Sequence, residues 1–203
     1  MRGSGLSSAY GGKRSKAHPG KPDEAEPPNV PDRPFDGCAP RAHACSDPTY
    51  VRAGGSRCCV RLLVDLCNGE TVGHSAGSSK GAKPVKAAFA TLEFPISDIG
   101  VFRTDRGSEF DNAEIDLMLE AFGIERSPSA EGCPYDNAAD EPTNKTLRAE
   151  PVYGDGFSDL RDLQAKLSDC VHRCSNLRIH STLGYMSPVE FRKAGLILSK
   201  PSK

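Results

Sequence analysis

Val60, Leu62, Leu63, Val64 and Leu66 fall within seven residues, between two turn signals. A run this dense in branched apolar residues suits a strand buried on both faces. Ala53-Gly54-Gly55-Ser56 before it reads as a hairpin connection, and Asn68-Gly69 after it as a second turn. The run therefore predicts a central strand over Arg57–Leu66, with antiparallel partners at His43–Val51 and Glu70–Ser75.

Beyond this meander the pattern changes to alternating strands and helices. Val85, Ala88, Phe89 and Leu92 recur at helical spacing, with Pro84 tolerable in a first turn. Ile99–Arg103 reads as a short strand. Asp111 with Glu114 reads as a capping box for a helix whose apolar face is Ile115, Met118, Leu119 and Phe122, stopped by Gly123. Ile124–Ser127 reads as a fifth strand, and a polar loop at Pro128–Tyr135 leads to a helix over Asn137–Ala149. A further helix spans Asp159–Cys174, and Ser187-Pro188-Val189-Glu190 opens a short last one. Three antiparallel strands, then alternation, then helices predict an α/β layer fold: a mixed five-stranded sheet flanked by helices.

Residues 1–40 read as a disordered tail, 41–194 as one domain and 195–203 as a second tail. Eight of the sixteen prolines fall in the first 48 residues, too little apolar surface to offset ordering entropy. Arg2, Lys13, Arg14, Lys16 and Lys21 make residues 1–21 basic, although the whole chain carries a net charge of only −1. No apolar run reaches the roughly 18–20 residues of a membrane span, and Met1–Gly5 lacks a signal-peptide centre. A cytoplasmic location is the expectation. The eight cysteines include no C-x-x-C pair, so a zinc-ribbon protein is disfavoured. Cys170 and Cys174 continue an apolar helical stripe while His172 points to the far side, so both read as buried thiols.

Three acids carry the chemistry. Asp105 and Glu141 are separated by thirty-five residues, and Asp47 lies upstream. If the first and fourth strands are neighbours, Asp47 and Asp105 share one sheet edge, where ligands of open sheets gather. The following helix could bring Glu141 to them. Three such carboxylates suit divalent cations, which can promote the cutting or joining of a phosphodiester backbone. Asp65 is an alternative first ligand, and Asp136 reads as a helix N-cap. Lys145 and Arg148 lie at i+4 and i+7 from Glu141, on one helical face with it, and Arg106 adjoins Asp105. These three cations are candidates for gripping phosphates, with surface or structural ion pairs as the competing reading.

Four stretches together resemble one known family. They are S-D-P-T-Y-V at 46–51, T-D-R-G-S-E-F-D-N at 104–112, G-C-P-Y-D-N-A-A-D-E at 132–141 and N-L-R-I-H-S-T-L-G-Y-M-S-P-V-E-F at 176–191. The chain is similar to the catalytic core of insertion-sequence transposases of the retroviral-integrase type, over roughly residues 41–194. The resemblance implies a ribonuclease H-like fold and a DDE site in which Asp47, Asp105 and Glu141 hold two Mg²⁺ or Mn²⁺ ions. It implies DNA strand cleavage and strand transfer on transposon ends and target DNA, by a homo-oligomer, with Asn176, Arg178 and His180 structural or near DNA. The family's helix-turn-helix region would be reduced here to a remnant within residues 1–40, or supplied by a separate subunit.

A second reading is a truncated, catalytically impaired relic that keeps the fold and at most nucleic-acid binding. Pro48 follows Asp47 on an expected interior strand, and Pro142 follows Glu141 inside an expected helix. Arg61 stands in the expected central strand.

Overall fold

The computed structural model describes residues 37–104, 112–128 and 156–198. Its strands are β1 (His43–Ser46), β2 (Pro48–Ala53), β3 (Ser56–Asp65), β4 (Thr71–Gly77), β5 (Val101–Thr104) and β6 (Glu125–Pro128). The described helices are α1 (Ala82–Phe89), α2 (Ala113–Ala121), α3 (Leu160–Asn176) and α4 (Pro188–Lys193). The helix expected over Asn137–Ala149, the Pro128–Tyr135 loop after its first residue, and most of the expected N-terminal tail lie outside the described residues.

The sheet is mixed, as anticipated, but has six strand segments rather than five. The extra segment comes from the first strand, which is interrupted at Asp47. Ala44 faces Asp65 and Pro48 faces Arg61, so β1 and β2 keep one unbroken register against β3. β4 adds to the other edge of β3, antiparallel. On the far side β1 pairs with β5 and β5 with β6, both parallel.

The hairpin turn forms where the glycines predicted it. Gly54 and Gly55 both have positive φ, 54° and 80°, the combination that a tight turn between twisted strands requires. Gly54 is fixed further by its N–H, which donates to Phe157 O at 2.9 Å. A Cβ there would stand 2.8 Å from Ser158 O, so only glycine fits.

Alternation along β3 splits the core in two. Cys58, Val60, Leu62 and Val64 pack with Cys45, Val51 and Ala53 under Leu163, Leu167, Cys170 and Val171 of α3. Leu63, with Ala44 and Phe102, packs under Val85, Ala88 and Phe89 of α1 and Ile115 and Leu119 of α2. Each fully buried aliphatic side chain contributes about 1.5–3 kcal/mol. At Gly73 the α1 layer approaches so closely that a Cβ would meet Ala88 O at 2.6 Å.

The caps follow the sequence with one correction. Asp159 caps α3, accepting from Asp162 N at 2.8 Å. Ser187 and Glu190 form the full capping box of α4. For α2 the cap is Asn112 rather than Asp111, because Asn112 Oδ1 accepts from Glu114 N at 2.9 Å. At the other end Phe122 is the C-cap, past the last helical residue, and is 44% exposed; Ile115 and Leu119 are the helix's buried residues.

A buried polar lock ties the C-terminal helix to the β3–β4 turn. Arg192 donates to Glu70 through Nε (2.7 Å) and an Nη (3.0 Å), and Asn68 Nδ2 donates to Pro188 O at 3.1 Å. At the same end of the sheet Gly37 N donates to Leu198 O at 3.0 Å, and Cys67 Sγ donates to Cys38 O at 2.6 Å. No helix among the described residues is long and apolar enough to cross a membrane.

Candidate functional site

Parallel pairing of β1 with β5 meets the condition the sequence set. His43 faces Val101, and the ladder runs without a slip to Ser46 opposite Thr104. Asp47 follows Ser46 and Asp105 follows Thr104 in the chain. Asp47 is half-buried, whereas Ser46 and Thr104 behind it are only 2% exposed each. The first carboxylate thus stands where the dry interior of the sheet gives way to its carboxyl edge.

Pro48 causes no defect there. Leu66 N donates to His43 O, which makes position 43 a hydrogen-bonded rung of the β1–β3 ladder. Rungs alternate, so Pro48 falls at a position whose nitrogen points away from β3. On that other side the pairing with β5 ends at Ser46. The missing N–H therefore costs no bond to β3, and Pro48 is tolerated as at an edge.

Asp65, the alternative first ligand, lies elsewhere. It faces Ala44, at the opposite end of β1 from Asp47. Its carboxylate accepts from Arg41 N at 2.7 Å and from Cys67 N at 2.9 Å. Burial raises its pKa to about 6, even though those two backbone donors pull the other way. It is a structural group tying the lead-in segment to the end of β3.

The central-strand arginine is real. Arg61 is fully buried on β3, between Pro48 and Ser75 on the neighbouring strands. The cysteines behave as buried thiols rather than ligands: Cys170 is inaccessible, Cys174 is half-buried 4.0 Å from it, and His172 is exposed. Asn176 Nδ2 donates to His172 O, and His180 N donates to Met186 O. Burial first, then Arg178, lowers the pKa of His180. These residues shape the turn before α4.

Asp105, Arg106, Glu141, Lys145, Arg148, Asp136 and Pro142 lie outside the described residues. Among the described residues no group of three His, Cys, Asp or Glu side chains is disposed to hold a metal ion. Of the expected ligands only Asp47 is among them, a hard oxygen donor that suits Mg²⁺ or Mn²⁺.

A mixed sheet with parallel carboxyl edge and helices on both faces defines a ribonuclease H-like, integrase-type core. The fold matches solved integrases: a simian T-cell lymphotropic virus intasome in complex with the PP2A regulatory subunit B56 gamma (TM-score 0.63, 18% identity, 77% of this chain and 56% of that one). It also matches the HTLV-2 integrase catalytic core domain in complex with magnesium, in its trimeric form (TM-score 0.60, 16% identity, 77% of this chain and 99% of that one). The integrase core domain family matches residues 38–134 and, through a second description of the same domain, residues 122–188. The chain belongs to this family, among insertion-sequence transposases. It is 29% identical to the probable transposase for insertion sequence element IS1353 of Shigella flexneri, over 92% of this chain and 37% of that one. It is 28% identical to the IS904 transposase of Lactococcus lactis, over 82% of this chain and 67% of that one. The chain thus spans between about a third and two thirds of the length of these curated relatives.

Proposed function

We propose that this chain is the catalytic core of a transposase that cleaves DNA strands and transfers them, with Asp47, Asp105 and Glu141 holding two Mg²⁺ or Mn²⁺ ions. The observation that carries this reading is the β1–β5 register: Ser46 faces Thr104, and an aspartate follows each in the chain. Two aspartates that follow neighbouring parallel strands in the chain would suit a shared divalent cation at that sheet edge.

Bound in pairs, such ions lower the pKa of a hydroxyl nucleophile and stabilise the departing oxygen of an in-line displacement at phosphorus. The chain's own part is to fix the acids. Asp47 is anchored because Ser46 before it and Thr49 after it are buried. Asp105 directly follows β5 in the chain, and Phe102 of that strand is fully buried. Lys145 and Arg148, four and seven residues after Glu141 in the chain, and Arg106 beside Asp105, would hold the phosphates of transposon end and target. Acting on two ends together calls for a homo-oligomer, with end recognition supplied by a helix-turn-helix region, in this polypeptide or on a separate subunit. The site of action is the cytoplasm, where the DNA of such elements resides.

The test is a nicking assay on supercoiled plasmid and on a labelled duplex, with Mg²⁺ or Mn²⁺. Cleavage by the parent, lost in Asp47→Asn and in Asp105→Asn, supports the reading. A folded parent that leaves both substrates intact in either metal would make it a relic.

A further inference from the structure

The β2–β3 hairpin runs on past the last residue of β5 and so projects beyond the edge where Asp47 sits. Its two faces differ. Val51, Ala53 and Cys58 belong to the core under α3. The alternate residues Tyr50, Arg52, Arg57 and Cys59 occupy the opposite face, because successive strand residues point to opposite sides. Across the ladder Tyr50 faces Cys59 and Arg52 faces Arg57.

Among the described residues this face is basic without compensation. The guanidinium of Arg57 lies 4.2 Å from the centre of the Tyr50 ring, and Lys80 Nζ lies 5.7 Å from it. Arg52, Arg57 and Lys80 are all exposed. Among the described residues no carboxylate pairs with any of the three. The stretches 48–64 and 71–92 contain no Asp or Glu at all. Burial pushes the Cys59 thiol up, while Arg61, Lys80 and Arg57 pull it down, a sign of positive potential at this spot. Tyr50, Val51, Arg52 and Arg57 line a shallow concavity of about 300 Å³.

We infer that this face is a phosphodiester-binding platform that receives the DNA strand leading away from the Asp47 edge. The inference rests on the DNA-processing reading above. The position of Arg57 over the Tyr50 ring engages the guanidinium through a cation–π contact, which uses none of its N–H donors and so leaves them for phosphate oxygens. Tyr50 fixes the guanidinium in advance, so less rotamer freedom is lost on binding. Tyr50 and Arg52 lie three and five residues along the strand from Asp47, roughly 10–17 Å at about 3.3 Å each, on the opposite face of the sheet by the same alternation. That is about three to five nucleotides at ~3.4 Å per step. The platform therefore contacts flanking DNA rather than the scissile phosphate.

The experiment measures binding of the full chain to a fluorescein-labelled 30-base-pair duplex by anisotropy, in EDTA, across about 50–200 mM NaCl. Arg52→Ala/Arg57→Ala is compared with Arg161→Ala/Lys193→Ala, which removes the same charge from exposed sites elsewhere. Both keep their far-ultraviolet circular dichroism, since all four residues are exposed. The platform pair loses about tenfold in affinity at 100 mM salt, and its salt slope falls by about 1.5. The control pair loses less than threefold. Equal losses in the two variants, no loss in the platform variant, or a parent that binds no DNA would each overturn the platform. A parent that cuts DNA while Arg52→Ala/Arg57→Ala binds normally leaves the nuclease reading intact without the platform. Platform-dependent binding without any cutting does the reverse.

Discussion

Asp47 and Asp65 stand at opposite ends of the same short stretch of sheet, and their surroundings could hardly differ more. Asp65 is inaccessible to solvent, and two backbone N–H groups hold its oxygens. Asp47 is half-buried, at an interruption between two segments of one strand. A carboxylate fixed by main-chain donors inside the fold has little capacity left for a cation. One at a strand break on the carboxyl edge keeps both access and anchorage. The difference teaches that burial separates an acid committed to the fold from one still open to a cation, where residue type cannot.

Four substitutions sharpen or break that contrast. Asp47→Asn should lower metal-dependent DNA cleavage by about 10³-fold or more, equivalent to ~4 kcal/mol. Its unfolding free energy from urea titration should change by no more than about 1 kcal/mol, as for other substitutions away from the packed core. A large loss of stability with cleavage retained would reverse the two aspartates' roles.

Arg192→Ala should cost about 3 kcal/mol in urea unfolding, because it strands the carboxylate of Glu70, whose side chain is only 8% exposed. A loss under about 1 kcal/mol would mean that water replaces the guanidinium and that the lock is weak.

Asp65→Asn tests pH. The Asp65 pKa is raised from 3.8 to about 6 on folding, chiefly by burial. The folded state therefore takes up a proton, and this group favours folding fully below about pH 4. That contribution is lost as pH rises through 6. Relative to Asp65→Asn, the parent should lose on the order of 3 kcal/mol between pH 4 and 7. Parallel pH profiles for the two proteins would show that Asp65 titrates normally. Ser46→Ala should have the smallest effect, under about 0.5 kcal/mol. Its Oγ is buried and finds no hydrogen-bond partner among the described residues. A loss of more than 1 kcal/mol would reveal a partner near Asp47.

Much of the scaffold was legible because local signals governed it. Gly54-Gly55 set the hairpin, the Val60–Leu66 run set the central strand, and Ser187 with Glu190 set the last helix. The Asp111 assignment failed because Asn112, an equally good cap, stood one residue on and nothing local separates the two. Long-range pairs gave no signal: Glu70 and Arg192 are 122 residues apart, and neither sits in a recognisable motif. The split of the first strand at Asp47 was hidden too, since its register is unbroken and only the proline hinted at it. Of the site, the sequence posed the meeting of the first strand with the one preceding Asp105 only as a condition, and the β1–β5 pairing meets it. The Tyr50–Arg57 contact was not legible, because cross-strand neighbours appear only once the register is known.

The hydrogen bond between Gly37 and Leu198 makes the described fold almost a closed ring. Considered mechanically, the described part has both its ends on one side. Tension between them would open the ring by peeling its C-terminal segment, one contact at a time, rather than by shearing the sheet along its strands. The Glu70–Arg192 lock would resist next. The Asp47 edge, at the other end of the strands, would be among the last parts to feel the load.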